Sequence, residues 1–204
     1  MKNRHFCLFA VLLLLLSLCA CRAMLPGESD TAAPTTKPTD ASATAPTAAL
    51  SAQIEVWREG ELSRIPVQIV SGQCGSYTIA MDPAYFTFLP QKDGDLFSYE
   101  GWGSAQPVYY RVSSYRGPYD PDAFIGQCKQ PQFRQTGTET LTLGGYPATL
   151  VSMEGTEENT GYCLHHYLIH CGDTCYCIEA RFSMEMYEGL YAIMRACFNT
   201  FQLH

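Results

Sequence analysis

A low-complexity stretch over residues 31–49 limits the part of this chain that can form a folded domain. Seventeen of its nineteen residues are Thr, Ala, Pro or Ser, and no hydrophobic periodicity runs through it. Such a segment cannot bury enough apolar surface to offset the entropy that ordering costs. We therefore divide the chain into residues 1–20, a disordered tether over residues 21–52 and one globular domain over residues 53–204.

The first twenty residues have the pattern of a secretion signal. Lys2 and Arg4 supply a basic start, and residues 6–18 are almost wholly apolar. Thirteen residues span about 20 Å as a helix, which is short of the roughly 30 Å hydrocarbon core of a bilayer. The pattern predicts a cleaved signal peptide rather than a membrane-spanning helix.

The end of this segment, Leu18-Cys19-Ala20-Cys21, resembles the lipobox of bacterial lipoproteins. In that motif an aliphatic, a variable and a small residue precede a cysteine whose thiol receives diacylglycerol and which becomes the new N-terminus. Cys21 is the expected lipid attachment site, because Leu18 is too large to precede Cys19 as the acceptor. Two or three acyl chains hold a protein firmly where one chain is marginal. We expect the chain on the outer face of the cell membrane; the alternative is ordinary cleavage near Ala20 or Ala23 and free secretion.

The globular part of the chain is acidic. From Ser51 onward it has 17 Asp and Glu and nine Lys and Arg, a net charge of −8. Such a surface repels phosphate backbones and anionic lipid heads, so we expect no nucleic-acid partner. The simplest interpretation of this charge is that it keeps an outward-facing domain soluble.

Alternating apolar and polar residues predict a domain built mostly of strands. Strands are predicted at residues 65–70, 76–81, 85–89, 96–102, 108–112, 138–143, 146–153, 163–170 and 175–182. Pro66 places the first of them at a sheet edge or a strand start. A short helix should begin at Pro121 with Asp120 as its cap. This order predicts an α+β fold, a twisted, mainly antiparallel sheet with packed helices.

A longer helix is predicted at the C-terminal end. Ser183 can cap it, and Glu185 and Glu188 would lie in its first turns. One apolar stripe would be formed by Leu190, Met194, Cys197 and Phe201.

Three motifs of the C-terminal half belong together: the run Leu143-Gly144-Gly145-Tyr146-Pro147-Ala148, the strand pair ending in Cys177-Ile178-Glu179-Ala180-Arg181-Phe182, and the helix closing at Thr200-Phe201. Together they resemble the PsbP-like α/β/α sandwich, which bacterial surface lipoproteins often carry. In that family the Gly-Gly hairpin and the final helix pack against one sheet. The resemblance covers about Ser76 to Leu203. It implies a PsbP-like fold and a non-catalytic binding or assembly role, and it carries no catalytic residue over to this chain.

Histidines and cysteines cluster in the hairpin of residues 163–182. Under a two-residue type II′ turn at residues 172–173, the opposed pairs on one face are His170 with Cys175, Leu168 with Cys177, and His166 with Glu179. His170, Cys175 and Cys177 would then lie close enough to touch one zinc ion, with a fourth ligand needed from elsewhere. This cluster motivates the alternative function, a metal- or thiol-dependent enzyme.

The cysteines past the anchor number seven, so at least one is unpaired unless chains cross-link. They are Cys74, Cys128, Cys163, Cys171, Cys175, Cys177 and Cys197. Burial as reduced thiols, or one disulfide, is the expected state. A three-residue hairpin loop would let Cys171 bridge Cys175, whereas a two-residue turn points them apart.

The sequence contains none of the common catalytic motifs, such as G-x-S-x-G, H-E-x-x-H or a P-loop. We therefore assign no catalytic residue, cofactor or metal site, and expect a binding module for a surface protein, a peptide or a glycan. Six aromatic residues suggest sugar stacking as one possibility, although filling of a sheet face is the simpler interpretation. They are Tyr99, Trp102, Tyr109, Tyr110, Tyr115 and Tyr119.

Overall fold

The computed structural model describes residues 50–99, 101, 107–116, 120–127 and 130–204. The signal peptide, Cys21 and the tether up to residue 49 lie outside these ranges, as do Trp102, Tyr119 and Cys128. The first strand begins at Leu50, three residues before the start expected for the domain. Within the described ranges, every helix is too short or too polar to cross a bilayer.

Strands make up most of the domain. They are β1 (Leu50–Arg58), β2 (Glu61–Ser71), β3 (Tyr77–Met81), β4 (Phe86–Gln91), β5 (Gly94–Tyr99), β6 (Tyr109–Arg116), β7 (Phe133–Leu143), β8 (Tyr146–Glu157), β9 (Thr160–Cys171), β10 (Thr174–Ser183) and β11 (Gln202–Leu203). The helices are α1 (Pro121–Gln127) and α2 (Leu190–Phe198), with a 3₁₀ turn at Met184–Met186.

The strands form two antiparallel sheets. The smaller has the order β1-β2-β3-β11, and the larger has the order β4-β5-β6-β10-β9-β8-β7. Every strand pair recorded in either sheet is antiparallel. The structure thus confirms the expected α+β class with antiparallel pairing.

Tight two-residue turns set the register of four hairpins. Both central residues have positive φ at Glu59-Gly60, Gly144-Gly145 and Glu158-Asn159, the pattern of type I′ turns. At the fourth turn Gly172 alone has positive φ, 61°, as a type II′ turn requires. These turns match the right-handed twist of strands, so each hairpin can continue pairing along its full length.

Two hydrophobic cores lie on opposite faces of the larger sheet. The first fills the space among both sheets and α2. The second lies on the other face and includes Phe124 of α1. Because successive strand residues point to opposite faces, β9 sends Tyr167 into the first core and Leu168 into the second.

The short helix α1 begins as the sequence predicts. Pro121 is its first residue, and Asp120 accepts two hydrogen bonds from its first turn. The Asp122 amide donates to the Asp120 carboxylate at 3.1 Å, and the Phe124 amide donates to the Asp120 carbonyl at 3.0 Å. The Asp-Pro start therefore has the physical role expected of it.

The C-terminal helix begins later than predicted. Ser183 is the last residue of β10, paired with Tyr162, and its side chain makes no capping bond. Pairing with β9 holds its backbone extended, so the predicted cap is wrong, and Glu185 and Glu188 precede the helix. The apolar stripe is confirmed, since Leu190, Met194 and Cys197 are buried and Phe201 enters the core just after the helix.

The strand predicted around Pro66 is longer than expected. β2 begins at Glu61, so Pro66 lies near its middle, opposite Gln53 of β1, and not at a strand start. The other neighbour, β3, pairs only with Gln68–Ser71. Pro66 therefore lies where β2 has one recorded neighbour, which is where a residue without an N–H is tolerated.

Candidate functional site

The β9–β10 hairpin has the register that the sequence predicts. His170 lies opposite Cys175, Leu168 opposite Cys177, and His166 opposite Glu179. Alternation places these side chains on the second-core face, whereas Cys171 packs against the first core. The predicted two-residue turn is thus confirmed.

The side chains on this face of the hairpin pack with one another. The Cys177 Sγ lies 3.9 Å from His166 Nδ1, and the Glu179 Oε2 lies 3.8 Å from the same nitrogen. The other oxygen of Glu179 accepts a hydrogen bond from the Tyr109 hydroxyl at 2.6 Å. His170 instead lies at the strand end, with Nε2 3.5 Å from the Thr149 hydroxyl. In the part of the chain that is described, no group of three or more His, Cys, Asp or Glu side chains is placed to hold a metal ion.

Burial makes the thiols poor nucleophiles. No disulfide joins the six described cysteines to one another. Burial raises the pKa of Cys163 and Cys175 to about 11 and that of Cys74 and Cys197 to about 12. The thiolate, not the thiol, is the reactive form, and at neutral pH these groups stay protonated. Burial also lowers the pKa of His166, so the imidazole beside Cys177 is neutral. These cysteines therefore act as small apolar core residues.

An open groove lies elsewhere, between the tip of the β1–β2 hairpin and the start of α2. This tip groove has a volume of about 630 Å³, and its walls include Trp57, Arg58, Tyr187, Tyr191 and Arg195. Trp57 is 67% exposed and Tyr187 is 49% exposed, which is unusual for rings of this size. Large exposed rings beside guanidinium groups are typical of binding surfaces.

A second cavity adjoins the tip groove. This edge cleft has a volume of about 350 Å³ and lies between α2 and the face of β7, β8 and β9. Glu139, Ser152, Glu154 and His165 line its sheet side. Tyr187, Tyr191 and Arg195 line both cavities, so the two meet at the start of α2.

A buried hydrogen-bond network holds the shared wall in place. The Tyr191 hydroxyl lies 2.6 Å from His165 Nδ1 and also bonds the Tyr167 hydroxyl. The Tyr191 ring stacks on Phe182 at 4.2 Å between centroids. Burial lowers the pKa of His165 to about 4, so the ring is neutral at neutral pH. A fixed Tyr191 in turn positions Tyr187, whose ring packs at 5.1 Å from it.

The aromatic residues considered for sugar stacking lie elsewhere in the fold. Tyr110 is fully buried, as expected for a ring that fills a sheet face, and the Tyr109 hydroxyl donates a hydrogen bond to Glu179. Tyr115 is 39% exposed. The tip groove was missed, although alternation in β1 offered a signal: Val56 points inward, so Trp57 must point outward.

Comparison with known proteins bears on the fold. The sequence matches no protein-family model and no curated protein. Among solved structures, LpqN of Mycobacterium tuberculosis, a protein involved in cell envelope biogenesis, is 15% identical, with a TM-score of 0.48 over 77% of this chain and 92% of LpqN. A protein from Bacteroides thetaiotaomicron is 14% identical, with a TM-score of 0.44 over 63% of this chain; the chain spans only 45% of that protein.

A cyanobacterial protein gives a higher score. PsbP of Synechocystis is 10% identical to this chain, with a TM-score of 0.51 over 68% of this chain and 92% of its own length. The antiparallel sheet and the docked C-terminal helix are the elements expected from the sequence motifs. This chain therefore has a PsbP-like α+β fold.

Proposed function

We propose that this chain is an extracytoplasmic lipoprotein, anchored through Cys21, whose domain binds a peptide segment of a partner protein without catalysing a reaction. The observation that carries the proposal is the tip groove, where Trp57 and Tyr187 remain exposed beside Arg195. Trp, Tyr and Arg are the residues that most often dominate binding energy at protein interfaces. Their rings supply contact area at a small cost in conformational entropy.

The tip groove lies far from the end of β1 at which the tether enters the domain. The tether leads into β1 at Leu50, and Trp57 lies seven residues further along the same strand. A strand rises about 3.3 Å per residue, so the groove lies roughly 23 Å from the point where the tether enters. A domain held by its N-terminal end would expose the tip of the β1–β2 hairpin to partners outside the membrane.

The anchor itself rests on the sequence. The apolar run of residues 6–18 is too short to span a bilayer, and Cys21 follows it in a lipobox-like context. Mass spectrometry of the native N-terminus tests this part of the proposal. A diacylated Cys21 is expected, and an unmodified N-terminus cleaved elsewhere would contradict it.

Peptide binding is tested with the mature lipidated protein in nanodiscs, probed with a phage-displayed random octapeptide library. We expect enriched peptides whose affinity falls at least about tenfold in Trp57→Ala and Tyr187→Ala, the loss typical of hot-spot truncation. Leu89→Ala is the matched control, because Leu89 is also an exposed apolar side chain, 43% exposed, but lies on β4. If no peptide is enriched, or if all three variants bind equally, the proposed function is wrong.

A further inference from the structure

Strand β7 ends the larger sheet with an exposed edge. Among the described residues it pairs only with β8, and residues 134–140 are all exposed. A register shift between Gln135 and Gly137 interrupts the start of the strand. There the Thr136 hydroxyl donates to the Ser152 carbonyl at 3.3 Å, and the Gln135 side-chain Nε2 donates to the Thr138 hydroxyl at 2.9 Å. Beyond this bulge the edge runs regularly to Leu143.

The regular part of this edge carries little of the usual protection against strand pairing. Natural edge strands are short, or carry charged side chains or proline, because their unpaired N–H and C=O groups otherwise recruit another strand. β7 has eleven residues with neither lysine nor proline, and Glu139 is the one charged side chain of its regular part. Thr138, Thr140 and Thr142 favour an extended backbone. The bulge hinders pairing of another strand with the beginning of β7, whereas residues 138–143 remain accessible for such pairing.

The same strand forms one side of the edge cleft. Gly137, Glu139 and Leu141 alternate along β7 and line the cleft, with Glu154 beside them on β8. Two carboxylates, from Glu139 and Glu154, and the guanidinium of Arg195 line the cleft. Glu154 lies opposite Arg134 of β7, whereas Glu139 lies opposite Leu150, so Glu139 is the carboxylate whose partner on the neighbouring strand is apolar. His165 adds no charge at neutral pH, because burial lowers its pKa to about 4. The excess of negative charge agrees with the net charge of −8 over the globular part of the chain.

We propose that the exposed edge of β7 and the edge cleft together receive an extended, basic peptide segment, which adds to the larger sheet as an eighth strand. Its backbone pairs with residues 138–143, and a Lys or Arg side chain of the segment lies beside Glu139. Strand addition obtains affinity from main-chain hydrogen bonds and specificity from pockets for alternate side chains. This inference rests on the proposed peptide-binding function and names the chemistry of the bound segment.

The sequences of the selected octapeptides test the charge pattern. We expect Lys or Arg to be enriched at the position that faces Glu139, with an affinity that falls as salt is raised. Glu139→Gln should lower the affinity about threefold, the size expected for an exposed charge pair. Asp173→Asn also removes a carboxylate, but in the β9–β10 turn, and should leave the affinity unchanged. Equal losses in both variants would overturn the inference, since they would reflect net charge alone.

Hydrogen exchange tests strand addition directly. Amides of residues 138–143 should exchange more slowly when a selected peptide is bound. A peptide N-methylated at the alternate positions that face β7 should lose binding, and the same peptide methylated at the intervening positions should retain it. Some peptides could lose affinity in Trp57→Ala and yet leave the amide exchange of β7 unchanged. That result would overturn strand addition but not the proposed function. If no peptide is enriched, both are wrong.

Discussion

Gly144 lies so close to Phe201 that a Cβ added to it would sit 2.0 Å from the Phe201 carbonyl oxygen. Gly144 also has a positive φ of 60° in the turn between β7 and β8. The Gln202 side chain donates to the Gly144 carbonyl at 3.1 Å, and the Leu203 amide donates to the Tyr146 hydroxyl at 3.2 Å. This hairpin turn is therefore docked on the segment that follows α2.

We predict that Gly144→Ala destabilises the domain more than Gly145→Ala does. Both positions have positive φ, which costs a residue with a Cβ about 1 kcal/mol, but an added Cβ at Gly145 meets nothing within 4 Å. The backbone clash at Gly144 should add about 2 kcal/mol, the usual size of an overpacking penalty. Urea unfolding of the two variants measures the difference, and equal free energies of unfolding would contradict the docked turn.

Substitution of Asp95 should also lower the free energy of unfolding strongly. Its carboxylate is fully buried, and one oxygen accepts hydrogen bonds from the Gln73 amide at 2.8 Å, the Cys74 amide at 3.0 Å and the Tyr77 hydroxyl at 2.7 Å. Asp95→Ala leaves these three donors without their acceptor, including the buried Tyr77 hydroxyl, so we expect a loss of about 3 kcal/mol. Asp93→Ala, two residues away with its side chain 73% exposed, should change the free energy of unfolding by less than about 0.5 kcal/mol.

Acid should destabilise the domain through His165. Burial lowers the pKa of His165 to about 4, below the 6.5 of an unfolded chain, so the unfolded state binds more protons between these values. The stability contributed by this group is complete above pH 6.5 and is lost as the pH falls towards 4. At about 1.4 kcal/mol per pKa unit, the loss is on the order of 3 kcal/mol.

The contribution of His165 is isolated by comparing urea unfolding at pH 7 and pH 4.5. His165→Gln should reduce the pH dependence, since glutamine does not titrate and retains an amide that can bond Tyr191. His204→Gln is the control, because His204 is exposed at the end of the chain. If the histidine and glutamine forms at position 165 lose stability in parallel, His165 is not the group that titrates.

The thiols should differ in reactivity according to burial. Cys171 is half-buried at the end of β9, whereas Cys175 and Cys197 are 1% and 0% exposed. Burial also raises the pKa of Cys175 to about 11 and that of Cys197 to about 12. Iodoacetamide at pH 8 should modify Cys171 first and the other two only on unfolding, as read by peptide mass spectrometry. Labelling of Cys175 in the folded protein at the rate of Cys171 would contradict this packing.

Membrane attachment should depend on one of two neighbouring cysteines. Cys21→Ser removes the thiol that the lipobox-like motif offers to the lipid, so the protein should leave the membrane fraction. Cys19→Ser keeps that thiol and should stay membrane-bound. Fractionation followed by immunoblotting distinguishes the two, and equal behaviour would contradict attachment through Cys21.

Local signals predicted much of the fold. The Gly172-Asp173 turn and the alternation on either side of it were sufficient to predict the pairing of His166 with Glu179. Asp120 and Pro121 marked the start of α1 for an equally local reason. The prediction that Ser183 caps the C-terminal helix was wrong because its backbone pairs with Tyr162. Strand pairing prevails over the weak preference of a serine for a helix cap.

The binding surface was harder to predict, because it is assembled from distant parts of the chain. Trp57 comes from β1, whereas Tyr187 and Arg195 come from the region of α2. The β1–β2 hairpin itself was missed, since its turn is Glu59-Gly60 and its strands carry many polar residues. Only packing of α2 beside β1 turns these separated side chains into a groove.

The two-sided burial of β9 limits how this protein can change over evolution. Residues 162–169 are all buried, with His165 bonded to Tyr191 on one side and His166 against Phe124 on the other. If one residue were deleted here, every later side chain of the strand would point to the opposite face of the sheet. Residues of the first core would then face the second core, and the reverse. The length of this strand should consequently be fixed, while variation in length should accumulate in the tether.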